Sequence, residues 1–336
     1  MRQRAMRRPL TSRLPWAGIA VALALSWNMS LSPIGPAGAE PAVGKPVAPP
    51  ETGGERITLT PEGKAPVSLH FAEQGAGPPL LLLHGLGESS FTWHDVLPAL
   101  AARFRVVTLD LKGFGRSDKP NDEAYGADDQ AALVASFIVA RGLENVTLVG
   151  HSFGGTVALR TGLVESLRGS GRIARIVVIG APGLPQSTAR YLDLVKTPVI
   201  PDTLAAGLAP ETLARLLLSE AMGGDAKIDD ADVEGYAAPY RDPDALRAFF
   251  ATARAIVSET DAKAVARRYK SIDVPVLAVW CRKDPIVPLK AGRKLAAALP
   301  RAKLTILEGC HHLPQHERPD ELVRLIEKFA DGPRAP

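Results

Sequence analysis

Apolar and polar positions follow two rhythms along most of the chain. VSLHFAEQG (67–75) alternates apolar and polar residues, and PPLLLLHG (78–85) is an unbroken apolar run ending at glycine. Alternation marks a half-buried strand; a short continuous run bounded by turn residues marks a strand buried on both faces. TWHDVLPALAARF (92–104) has helical spacing, RVVTLDLKG (105–113) reads as a strand, and DQAALVASFIVARG (129–142) as a helix closed by Gly142. Strand, helix and strand follow in NVTLVG (145–150), GGTVALRTGLVESLRG (154–169) and RIVVIGAPG (175–183). The rhythm stops after Leu184. It resumes as strand, helix, strand, helix in VPVLAVW (274–280), KAGRKLAAALP (290–300), AKLTILEG (302–309) and DELVRLIEKFAD (320–331). This order predicts an α/β protein with a parallel sheet and helices on both faces. The interval 185–270 is helical in pattern and too long for a simple connection, so an inserted helical subdomain is expected there.

The chain has 336 residues, 46% of them hydrophobic and 23% charged, which allows a large core of ordinary composition. A pI near 9.1 raises the question of nucleic acid. The basicity is local, however. Residues 1–39 hold Arg2, Arg4, Arg7, Arg8 and Arg13 with no lysine and no acid, and without them the net charge of +4 becomes −1. No basic face is implied, and no nucleic-acid partner is expected. The arginine-rich start leads into WAGIAVALALSW (16–27), then a Pro/Gly-rich stretch and Ala37-Gly38-Ala39. Those are the parts of a secretory signal, so 1–39 is expected to direct export to the periplasm or beyond. The alternative is an uncleaved anchor, the only route by which a membrane would enter; Arg13 interrupts a twin-arginine pattern at Arg7-Arg8. Residues 40–55 read as a linker.

Candidate chemistry centres on VTLVGHSFGG (146–155). Gly150-His151-Ser152-Phe153-Gly154 fits G-x-S-x-G between a strand and a helix. A sharp turn there brings backbone against the positions two before and two after the serine, which glycine alone tolerates. Ser152 is thus exposed beyond a strand's carboxyl end, where open parallel sheets bind ligands. A serine hydroxyl needs a base to take its proton. Asp284, in WCRKDPIVP, and His311 or His312, in LEGCHHLPQHERPD, follow the next two predicted strands, giving the chain order Ser, acid, His.

With LLLHGLG, LDLKGFGRSDKP, VGHSFGG, WCRKDPIVP and GCHHLPQHERP together, the chain from about residue 56 to 330 resembles the capped α/β-hydrolase fold superfamily, with a Ser-Asp-His arrangement of esterase type. The resemblance implies a mostly parallel eight-stranded sheet, with core segments at 56–184 and 271–333 and a cap at 185–270 over the site. Aligned on Gly309, Glu317 and Pro319, His312 takes the catalytic place and His311 replaces a glycine. His316 is expected as an exposed helix-entry residue. The position where some relatives carry the acid reads IGAPGLP here, without a carboxylate, so Asp284 is expected to serve. Asp110 resembles the family's structural Asp, holding Gly113 to Ser117. The amides of Phe153 and, by the H-G-x-G motif, Leu86 are expected to form the oxyanion hole. His84 would brace that loop, and His151 would be a packed neighbour of the serine. Arg190, Tyr191, Tyr236 and Tyr240 are substrate-binding candidates in the cap; Phe249 and Phe250 read as core. Cys281 and Cys310, on adjacent strands, either bridge after export or remain two buried thiols.

The implied activity is acyl transfer on a small-molecule ester, needing no metal and no organic cofactor. Dehalogenases and epoxide hydrolases use Asp at the elbow, so their function does not carry over. Carbon–carbon bond hydrolases commonly have Trp after the catalytic His, where Leu313 stands here. Perhydrolases share the same arrangement. Proline iminopeptidases carry cap acids, for which GGDAKIDDADVEGY (223–236) is a candidate beside a plain solvated loop. A non-catalytic ligand-binding protein of this fold would be expected to have lost part of the arrangement. Oligomeric state is left open.

Overall fold

The computed structural model describes residues 53–61, 63–185, 207, 209–224 and 228–332. The expected signal segment 1–39, and Arg190 and Tyr191, lie outside these residues. Eight strands form one sheet: β1 (Glu55–Leu59), β2 (Val67–Gln74), β3 (Pro79–Leu83), β4 (Arg105–Leu109), β5 (Val146–His151), β6 (Ile173–Ile179), β7 (Val276–Cys281) and β8 (Ala302–Leu307). Their order is β1-β2-β4-β3-β5-β6-β7-β8. The β1–β2 and β2–β4 pairings are antiparallel, and the rest are parallel.

The four leucines of β3 show how the sequence builds this sheet. Leu80 and Leu82 point into one core cluster, with Leu97 and Leu100 of α1 (Leu97–Ala101) and Leu322 and Ile326 of α10 (Pro319–Ala330). Leu81 and Leu83 point into the other, with Phe137 of α2 (Ala127–Ala140), Val157 of α3 (Phe153–Thr161) and Leu295 of α8 (Leu289–Ala298). All four are fully buried, each stabilising the fold by roughly 1.5–3 kcal/mol. A strand with helices on both faces has no polar side, which explains the unbroken run.

Two helical expectations change in detail. The stretch 92–104 divides into a 3₁₀ turn, Ser90–Trp93, and α1, because Pro98 lacks the amide a continuous helix needs and instead sits in the first turn of α1. The helix predicted to reach 169 ends at Thr161, capped by Gly162. Between β6 and β7 the described residues form α4 (Pro210–Ala221), α5 (Asp230–Ala237), α6 (Ala245–Ser258) and α7 (Ala262–Tyr269). Ala214, Leu218, Val233 and Tyr236 of this insertion pack on Phe91 and Leu313 of the sheet domain. No helix among the described residues is long and apolar enough to cross a membrane.

A disulfide joins Cys281, the last residue of β7, to Cys310 after β8, with Cα atoms 5.3 Å apart. Of the two sequence expectations, the structure takes the bridge. It closes a loop of sequence separation 29. Loop-closure entropy for that length predicts that the Cys281→Ser/Cys310→Ser double variant loses about 3–4 kcal/mol of stability. Urea unfolding under oxidising conditions checks this, and excess reductant should bring the parent to the variant's midpoint.

Candidate active site

β5 ends at His151 and α3 begins at Phe153, which leaves one residue to reverse the chain. That residue, Ser152, adopts φ 51° and ψ −120°. Such a conformation costs a non-glycine residue on the order of 1–3 kcal/mol and is held by its surroundings. A Cβ on Gly150 would lie 2.3 Å from the Gly154 carbonyl oxygen, and one on Gly154 would lie 2.3 Å from those of Leu83 and His84. Both glycines are therefore required by the close approach of backbone on either side of the turn.

The loops after β7 and β8 converge on Ser152. His312 Nε2 is 3.1 Å from Ser152 Oγ, and His312 Nδ1 is 2.9 Å from Asp284 Oδ2. Asp284 Oδ1 accepts from the amides of Ile286 and Val287 at 2.9 and 2.8 Å, which fixes the plane of the carboxylate. Asp284 and His312 are buried. His311 is turned elsewhere: its Nδ1 and backbone amide both meet the Glu317 carboxylate. The chain thus brings Ser152, His312 and Asp284 together, and leaves His311 out. The disulfide sits between the Asp284 and His312 loops, three residues before the first and two before the second.

The amide of Phe153 opens α3, at the positive end of its dipole. Neither it nor the amide of Leu86 donates to another described residue. His84 braces the Leu86 loop. Burial pushes its pKa below the ordinary value, and the neutral ring donates from Nδ1 to Gly85 O and accepts the Leu111 amide at Nε2. Asp110 accepts the amides of Ser90 and Arg116, and its carbonyl accepts the Ser117 hydroxyl, consistent with a structural role in that loop.

Sequence reasoning missed Glu88. Its carboxylate accepts the Gly85 amide at 2.8 Å and meets His151 Nδ1 at 3.0–3.1 Å, while His151 Nε2 donates to the His312 carbonyl at 2.8 Å. His151 is therefore more than a packed neighbour: it links the loop after β3 to the loop that carries His312. Burial by itself would raise the Glu88 pKa, but the His151 charge and hydrogen bond overcome it and hold Glu88 at about 2. Burial would likewise lower His151, and Glu88 outweighs it, leaving His151 above its ordinary value. The stability from Glu88 is complete above its ordinary 4.5 and is lost as pH falls toward 2. That from His151 is complete below 6.5 and is lost as pH rises through its raised pKa. Glu88→Gln is expected to cost about 3 kcal/mol, by leaving a buried imidazole without its counter-charge, and to flatten the acid limb of stability. Urea midpoints measured from pH 3 to 8 check both.

A pocket at this site is lined by Ser152 and His312, by Leu86, Leu217, Leu218, Phe249, Ile286 and Leu313, and by Tyr236 and Tyr240 of the insertion. Phe249, read from the sequence as core, is buried and lines the pocket as well. The charged lining residues are Glu88 and Glu220; among the described residues no lysine or arginine lines it. The acids of 229–234 are engaged elsewhere. Asp229 caps α5, Asp230 pairs with Arg215, Asp232 lies by His94 and Glu234 pairs with Arg241.

The profile of the alpha/beta hydrolase fold matches residues 78–319, and the chain belongs to this family. It is similar to a 2-hydroxy-6-oxo-6-phenylhexa-2,4-dienoate hydrolase of Burkholderia cepacia, 30% identical over 81% of this chain and 94% of that one. It is also similar to a pimeloyl-[acyl-carrier protein] methyl ester esterase of Aeromonas hydrophila, 29% identical over 78% of this chain and 99% of that one. Among solved structures, the esterase RhEst1 from Rhodococcus sp. ECU1013 superposes with a TM-score of 0.65 at 25% identity, covering 82% of this chain and 98% of that one. The similar proteins thus include a dienoate hydrolase and esterases.

Proposed function

We propose that the protein hydrolyses a carboxylic ester of a small molecule through an acyl-enzyme. Ser152 attacks the carbonyl as His312 takes its proton. Asp284 orients His312 and stabilises its charged form, and the amides of Phe153 and Leu86 hold the oxyanion. His312 then gives its proton to the leaving alcohol, and water, activated in turn by His312, releases the acid. The observation that carries this reading is the pair of contacts at His312, 3.1 Å to Ser152 Oγ and 2.9 Å to Asp284 Oδ2. Residues 185–270 act as the cap, with Tyr236 and Tyr240 facing substrate. Residues 1–39 serve for export, in keeping with a disulfide, which persists in oxidising compartments.

The choice of an ester over a carbon–carbon substrate rests on the pocket. A dienoate carries a carboxylate, whereas among the described residues no lysine or arginine lines this pocket and His151 is already committed to Glu88. Bringing in an anion without a cation to pair it is costly. An uncharged acyl chain suits the leucines and aromatic rings. The test is hydrolysis of p-nitrophenyl esters of increasing acyl length, beside a carboxylate-bearing dienoate of the carbon–carbon hydrolase type. Turnover of the esters alone is expected. Turnover of the dienoate alone would overturn the ester assignment and keep the nucleophile.

A further inference from the structure

Away from the pocket, three side chains of metal-ligating type meet where the insertion touches the sheet domain, and a fourth, Asp232, lies beside one of them. His94 and Asp95 follow the 3₁₀ turn Ser90–Trp93. His316 lies in α9 (Pro314–Glu317), and Asp232 in the first turn of α5. Ligand atoms of His94, Asp95 and His316 all lie within 4.8 Å of one another. His94 Nε2 is 3.2 Å from Asp95 Oδ1 and 3.5 Å from Asp232 Oδ1, and His316 Nδ1 is 2.7 Å from Asp95 Oδ2. The sequence placed His316 as an exposed residue at a helix entry. Its side chain is instead 94% buried, because the insertion covers it.

We propose that His94, Asp95, His316 and Asp232 form a binding site for one divalent transition-metal ion of the zinc type. Two imidazoles with two carboxylates select a borderline ion over calcium or magnesium, which prefer oxygen alone. The spacing fits. Bond lengths of 2.0–2.1 Å in a tetrahedron put neighbouring donors about 3.3 Å apart. The His94–Asp95 and His94–Asp232 separations, 3.2 and 3.5 Å, are close to that, and the 2.7 Å His316–Asp95 contact opens by about half an ångström as Asp95 turns one oxygen to the ion in place of the two it now divides between His94 and His316. The supporting hydrogen bonds are those a metal site needs. His94 Nδ1 donates to Phe91 O at 3.1 Å, which leaves the Nε2 lone pair facing the cluster. His316 Nε2 lies 2.6 Å from the Tyr236 hydroxyl, itself 2.7 Å from Thr92 Oγ1. With the Tyr236 hydroxyl donating to Thr92 Oγ1, His316 Nε2–H donates to the Tyr236 oxygen, and Nδ1 of His316 then carries the lone pair. The ion would join α5 of the insertion to the helical turn that follows His312. This inference does not rest on the proposed ester hydrolysis.

The test uses tag-free protein stripped with EDTA and titrated calorimetrically with zinc chloride, with melting temperature read in parallel. One zinc per chain, binding at micromolar or tighter Kd and raising the melting temperature, is expected. Asp232→Asn, in the first turn of α5, should weaken binding at least tenfold without loss of fold, and Asp95→Asn, at the solvent edge of the cluster, should weaken it further. Absence of binding would overturn the proposal and leave a proton between His316 and Asp95 as what holds the cluster. Binding of equal strength in both variants would overturn it too, since the ion would then lie elsewhere.

Discussion

Ser152→Ala should abolish turnover of any ester the parent hydrolyses, lowering kcat by about 10⁴–10⁶-fold while the protein stays folded. The size follows from what one atom does in the proposed reaction. Without Oγ no acyl-enzyme forms, and His312 has no hydroxyl to deprotonate. The remaining donors and the pocket still bind the substrate, so KM should change little. Folding should not suffer. Ser152 accepts no side-chain cap hydrogen bond from α3, and its strained backbone is imposed by the packing of Gly150 and Gly154. Alanine inherits the same strain with a smaller side chain. Steady-state kinetics on p-nitrophenyl esters, with urea unfolding of both proteins as control, measures it. Equal activity in parent and variant would remove Ser152 from the mechanism.

The parts of this molecule set by short-range rules could be read from the chain. The buried strands announce themselves because helices on both faces leave no polar side, and the elbow does so because two glycines sit where backbone meets backbone. Asp284 and His312 could be found because each follows a strand at the carboxyl edge of the sheet. The resemblance separated His312 from His311, and in the structure His311 Nδ1 meets Glu317 while His312 lies between Ser152 and Asp284. What could not be read depends on contacts between distant segments. Glu88 and His151 are 63 residues apart, and nothing in GLGESS distinguishes a buried glutamate from a solvated one. His316 looked exposed because its cover comes from an insertion whose approach has no sequence signal. β1 pairs antiparallel to β2 at the sheet edge and is short and mostly exposed, so it lacks the apolar run that marks the central strands. The helix break at Pro98 was legible in principle; helical spacing on both sides of it obscured the stop.

The wiring of Asp284 makes a second large effect calculable from the hydrogen bonds alone. Asp284→Asn is expected to lower kcat by about 10⁴-fold with little change in KM. One carboxylate oxygen, Oδ1, already accepts two backbone amides, from Ile286 and Val287. An asparagine at this position must put its carbonyl oxygen there, since an NH₂ group facing two N–H donors would leave all three without acceptors. Its NH₂ is then directed at His312 Nδ1, which becomes an acceptor. The imidazole proton moves to Nε2, and the nitrogen facing Ser152 Oγ at 3.1 Å becomes a donor instead of a base. The variant would keep its shape and its binding and lose the ability to deprotonate the serine. Kinetics of Asp284→Asn beside His311→Asn decides the matter, because His311 is committed to Glu317 and its loss should leave kcat within about threefold of the parent. A fall of less than tenfold in Asp284→Asn would mean that the orientation of His312 is fixed by its backbone, whose N–H donates to Ala221 O, and not by the carboxylate.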